Sequence, residues 1–276
     1  MSVRPLSGAW SRVLALTWKD AAELARNPGA TLPAVAMVFG ALVPAFLVVG
    51  APIVVGSGFS HSSQFDEAAS AAAAVIPELA GLRGDALVQA FLFHQFSLLL
   101  LLVPVVGAMA LASHAVVGEK QAKALEPLLA TPLNTVELLA AKTLTPFVFA
   151  AAMLAVTVML YIGGIAVMAE PGVWRTMLGT RTVVLFGVLG PLVTLSALQM
   201  AVIVSSRAND ARSAQQLSSL MVLPITAVFV AQMVGVTVMG PLAMWRGVAG
   251  CAVFNVILLW VGAKVFRRDT ILTRWK

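Results

Sequence analysis

Six long apolar runs, at positions 30–56, 96–117, 143–168, 183–204, 217–239 and 247–265, account for most of the 276 residues. About 20 helical residues, each rising about 1.5 Å, cross a hydrocarbon core about 30 Å thick. Each run therefore reads as a membrane-spanning helix, the last being the shortest. No Asp, Glu, Arg or Lys interrupts them, apart from Lys264 at the end of the sixth. Upstream of the first run the pattern is amphipathic. Trp10, Val13, Leu14, Trp18, Ala21 and Leu24 recur at three- and four-residue steps, with Arg12, Lys19, Asp20, Glu23 and Arg26 on the other side. That periodicity predicts a helix over 11–27 lying in the membrane interface, its tryptophans at headgroup depth. The alternative is a cytoplasmic extension of the first span, against which Asn27-Pro28-Gly29 supplies a break. Residues 57–95 are the longest non-membrane piece. Their alanine-rich middle, 66–74, predicts a helix, and Pro77, Gly81 and Gly84 interrupt it. The stretch is too short and too poor in large apolar residues for a folded domain, and it predicts short helices capping the outer mouth. The expected fold is an all-α integral membrane protein. It is a single domain over 1–276 with six spans, an N-terminal interfacial helix (1–29), an external loop (57–95) and a charged cytoplasmic segment at 118–142.

Composition supports the bilayer as solvent. The chain is 60 % hydrophobic and 11 % charged, against about a quarter charged in soluble domains. The net charge of +6 does not point to nucleic acid, because the basic residues flank the apolar runs. With the N-terminus placed in the cytoplasm, fourteen Lys and Arg fall inside and four outside (Arg83, Arg175, Arg181 and Arg246). Both termini are expected in the cytoplasm and the protein in the inner (plasma) membrane. The charged stretch before the first run, and that run's length, predict a retained N-terminus rather than a cleaved signal. The single cysteine, Cys251, lies in an apolar run and reads as a small buried side chain.

The segment 118–142, GEKQAKALEPLLATPLNTVELLAAK, stands apart from this apolar background. Glu119 and Lys123 are four apart with Glu first, the favourable order on a helix, and Glu126 continues the charged stripe. Pro127 predicts a bend, and Thr131-Pro132 an end. Asn134, three residues before Glu137, resembles a capping box that starts a new helix into the third span. Leu125, Leu128 and Leu129 would be wet on such a projection, and covering one leucine is worth about 1.5–3 kcal/mol. Two readings follow from the residues: a knob for a soluble partner, or a loop whose leucines lean back on the lipid.

EKQAKALEPLLATP resembles the signature of type-2 ATP-binding-cassette (ABC) permeases, membrane subunits of mainly export systems. The family pattern is roughly E-K-E-x-G-T-L-E-x-L-L-x-T-P. Glu119, Lys120, Leu125, Glu126, Leu128, Leu129, Thr131 and Pro132 match it, while Gln121, Lys123 and Ala124 depart. Residues 205–216 and 266–272 are similar to the family's second cytoplasmic loop and its usual ending. The resemblance implies a coupling helix between the second and third spans, docking in a groove of an ATPase subunit. It implies that Glu119, Leu125, Glu126, Leu128, Leu129, Thr131 and Pro132 form the coupling set, with the N-terminal helix as a connecting helix. Two permeases, most simply identical, and two ATPases would form the working unit. ATP and magnesium would be bound by the ATPase and no cofactor by this chain.

The residues agree with a chain that does not power itself. No G-x-x-x-x-G-K-[ST] run is present, nor H-E-x-x-H, and His61, His94 and His114 are scattered. The expectation is therefore a transport subunit, not an enzyme. A secondary carrier or channel is the alternative; it predicts an intramembrane charge or a broken-helix binding site. An intramembrane enzyme predicts a Ser-His pair, an Asp pair or a zinc motif within the spans. Gln199, Gln232 and Asn255 are the costliest groups to bury in lipid and should face other helices, either lining a substrate path or bonding between helices. Lipids, hydrophobic drugs, peptides or ions as cargo are not separated by any residue.

Overall fold

The computed structural model of the chain describes residues 28–55, 63–121, 135–205, 216, 219–234 and 240–265, with backbone alone at 28–31, 33–34, 51–55, 63–64, 113–121, 135–142 and 263–265. No strand occurs among the described residues. The principal helices are α1 (Pro28–Val55), α2 (Ser63–Ala73), α3 (Asp85–Phe96), α4 (Leu102–Gln121), α5 (Thr135–Met168), α6 (Thr180–Ser205), α7 (Val222–Met233) and α8 (Pro241–Val265). Among the described residues, four stretches are long and apolar enough to cross a membrane: Asp85–Ala112, Thr143–Met168, Thr180–Ser205 and Pro241–Gly262. Shorter apolar helices cover Val35–Gly50 and Ser219–Met233. In hydrocarbon each backbone N–H and C=O must find its partner inside the protein, and a helix supplies these within one segment. The chain is thus a multi-pass α-helical membrane protein.

Its packing is that of a protein dissolved in lipid. On α1, Ala41, Ala45 and Val49 face the interior, while Phe39, Val43 and Leu47 are exposed. On α8, Val253, Val256, Leu259 and Trp260 are likewise exposed. Large side chains outside and small ones inside invert the arrangement of a water-soluble bundle. Close backbone approach, rather than the hydrophobic effect, drives helix association in a bilayer. The stretch Asp85–Ala112 is the centre of the bundle, 89 % buried along its apolar window, and α8 is peripheral at 17 %. α4 packs against α1, α5 and α6, and α6 also holds α8.

The region expected as an external loop contributes to this core. Ala69, Ala72, Ile76 and Leu79 are fully buried and belong to the same apolar cluster as α3. α3 begins at Asp85, eleven residues before the expected start of the second span at Phe96, and every residue from Val88 to Phe96 is buried. DALVQAFLFHQF lacks a long apolar run because Gln89, His94 and Gln95 punctuate it. Gln89 and Gln95 are met by Glu170 and Gln232, far along the chain, which run length does not register. Cys251 is only partly buried.

Phe46 lies on the backbone of α5 at Gly164, where an added Cβ would collide with its ring. Phe93 and Tyr161 also pack on that ring, with centroids at 5.9 and 5.7 Å, which restricts how it can shift. Gly163, next in line, has nothing within 4 Å of the corresponding position. Gly164→Ala is expected to destabilise by about 1–3 kcal/mol, the usual cost of overpacking. Gly163→Ala should be neutral or mildly stabilising, through helix propensity. Thermal unfolding of the two variants in detergent checks the contrast.

Candidate functional site

Two polar constellations occur inside the apolar body. The first is at the end of the bundle where α3 begins, α5 ends and α6 begins, away from the end of α4 and the start of α5. Between α3 and α4, residues Ser97–Leu101 tighten into a 3-10 turn. Carbonyls of the preceding turn then take side-chain donors. Tyr161 Oη donates to the Phe93 carbonyl at 2.6 Å, and Ser97 Oγ donates to that of His94 at 2.6 Å. Arg181 Nη2 also donates to the His94 carbonyl, at 3.4 Å. Nearby, the Glu170 backbone N–H donates to Gln89 Oε1 at 2.8 Å, fastening the loop after α5 to α3.

Glu78 and Arg181 meet here from 103 residues apart. Glu78 Oε1 accepts the Arg181 backbone N–H at 3.3 Å. Its carboxylate lies over Gly179, where any Cβ would displace it. A negative group there answers the exposed N–H groups and positive dipole end of α6. Arg181 itself is 8 % exposed and lines a cavity of about 300 Å³ with Glu78, Thr180, Val184, Met244 and Trp245. Directly after it, Val183–Leu189 form a π-helical segment, an irregularity common at functional sites.

The second constellation joins α6 to α8. Gln199 Nε2 donates to Asn255 Oδ1 at 3.1 Å. Asn255 Nδ2 in turn lies 2.9 Å from Ser196 Oγ, 3.0 Å from the Leu192 carbonyl and 2.8 Å from that of Cys251. Of the three residues singled out for a path, Gln199 and Asn255 are therefore in direct contact. Gln232 lies elsewhere, on α7. Its backbone carbonyl accepts Gln95 Nε2 at 3.4 Å, and its buried side-chain amide has no partner among the described residues.

Of the expected coupling set, Glu119 falls in the last turn of α4. Leu125, Glu126, Leu128, Leu129, Thr131 and Pro132 lie outside the described residues, as do the interfacial helix over 11–27 and the segment 266–272. α5 runs from Thr135 without interruption into the apolar stretch ending at Met168. Sequence reading missed Arg181, which it counted as an outside surface charge, and Glu78 and His94, which it left in or beside a loop. The available signal was thin: an arginine at the very edge of an apolar run, with no local partner.

These features define a polytopic helical membrane protein with buried polar clamps between its helices. The family model described as ABC-2 family transporter protein matches residues 14–261, and the chain belongs to that family of transport permeases. No curated protein and no solved structure matches it.

The α6–α8 clamp is open to a double-mutant test. Asn255→Leu strands the Gln199 amide and should lower stability. Adding Gln199→Leu should restore part of the loss. The expected coupling is about 0.6 kcal/mol and at most about 1.7 kcal/mol, the range for hydrogen bonds between membrane helices. Unfolding of the four cycle members in mixed micelles reads it.

Proposed function

We propose that this chain is the permease of an ATP-driven exporter of the cytoplasmic membrane. It has six spans and both termini in the cytoplasm, and moves its substrate when coupled to a separate ATPase subunit. The observation that carries this reading is the family match, whose range of residues 14–261 includes segment 118–142. The absence of a phosphate-cradling G-x-x-x-x-G-K-[ST] loop agrees with ATP chemistry on another polypeptide.

In this reading α4 and α5 are levers. They leave the bundle at one end, join through 122–134, and carry the coupling set Glu119, Leu125, Glu126, Leu128, Leu129, Thr131 and Pro132 between them. ATP binding closes two ATPases, and the docked segment transmits the closure to α4, which is packed against α1, α5 and α6. The movement shifts the spans between inward- and outward-facing states only if the docked surface differs in free energy between them. A second copy of the chain completes the pathway. Gln199, Gln232 and Asn255 are candidates for its polar lining.

Leu128→Asp and Leu129→Asp are expected to abolish co-purification of the ATPase while the permease remains membrane-inserted, because a carboxylate in an apolar groove has no partner. Undiminished co-purification by both variants would count decisively against docking through this segment.

A further inference from the structure

The cavity at the start of α6 is lined by a cation whose donors are only partly met. Arg181 is more than nine-tenths buried, yet among the described residues only Nη2 of its guanidinium has an acceptor; Nε and Nη1 have none. An arginine cannot shed its charge as a buried lysine can, so its donors require an acceptor. Glu78 lines the same cavity but is engaged otherwise, accepting the backbone N–H of Arg181 at 3.3 Å against Gly179. The remaining walls are largely apolar, with Ile76, Val184, Met244 and Trp245 among them. The volume, about 300 Å³, is that of roughly ten waters at about 30 Å³ each. It admits a tetrahedral oxyanion together with part of an attached apolar or polyol group.

We propose that this cavity is a binding site for a phosphate-class oxyanion, held by the guanidinium of Arg181. Guanidinium donors match phosphate oxygens in charge and geometry. The N-terminus of α6 adds positive potential from the same side. The Glu78 carboxylate opposes the anion and sets its affinity, so removing that charge tightens the site. The phosphate is carried either by an anionic lipid headgroup, whose tail meets Met244 and Trp245, or by a small free anion. The assignment stands on the cavity alone and does not depend on ATP-driven coupling.

The test uses the full-length chain purified in a neutral maltoside detergent. Native mass spectrometry counts retained phosphatidylglycerol against phosphatidylcholine, and tryptophan fluorescence follows titration with inorganic phosphate. Wild type is expected to retain phosphatidylglycerol at least tenfold over phosphatidylcholine, or to give a saturable phosphate response. Arg181→Gln should weaken whichever occurs at least tenfold, and Glu78→Gln should strengthen it several-fold. Retention of the lipid alone assigns a headgroup; a phosphate response alone assigns a small anion. Absence of both in wild type overturns the proposal, as does wild-type binding by Arg181→Gln or loss of binding in Glu78→Gln. If Arg181→Gln does not fold, Thr180→Trp at the exposed mouth should block binding; unchanged binding there, with Glu78→Gln also unchanged, overturns it equally.

Discussion

A polar group buried inside a bilayer has no water to turn to, and much of this structure follows from that constraint. Carbonyls in the turn before the 3-10 segment Ser97–Leu101 take side-chain donors from distant parts of the chain. Tyr161 reaches from α5 to the Phe93 carbonyl, and Arg181 reaches from the start of α6 to that of His94. Each bond ties a different helix to the central α3–α4 column. The irregular turn is therefore where three helices are brought into register. In water the same carbonyls would be solvated, and the incentive for these contacts would be far weaker.

The rest of the body is held by fit rather than by hydrophobic drive. Lipid tails are as apolar as leucine, so exposing Phe39 or Trp260 carries little penalty, whereas small inward residues allow backbones to approach. The Phe46–Gly164 contact shows both halves of the rule: a ring seated on a backbone because one residue has no side chain. Polar pairs are then used sparingly, as in the Gln199–Asn255 clamp between α6 and α8.

This arrangement gives the two ends of the molecule different characters. At one end α4 and α5 run out toward 118–142, the segment proposed to meet a motor subunit. At the other, residues 63–84 fold down on α3 and enclose a cavity with a buried cation. α4 joins the two ends, since that helix continues the column on which Tyr161 and Arg181 are anchored. The π-helical segment Val183–Leu189 lies directly after Arg181, so any repacking of α6 would be felt at the cavity.

The membrane character, the all-helical class and the family were already legible in the chain. Apolar run length, the small share of charge and the motif at 119–132 are local properties, and a bilayer rewards them wherever the runs end up. The capping pattern at Asn134 and Glu137 likewise anticipated a helix running into the third span, seen from Thr135. The early start of α3 was not legible, nor was the burial of Ala69, Ala72, Ile76 and Leu79, nor the meeting of Glu78 with Arg181. None of these is a property of a local run: some of the bonds involved join residues 68 to 103 apart, as with Tyr161 and Phe93 or Arg181 and Glu78. Whether an arginine beside an apolar run faces water or a cavity is settled by what folds over it, and only the packed helices decide that.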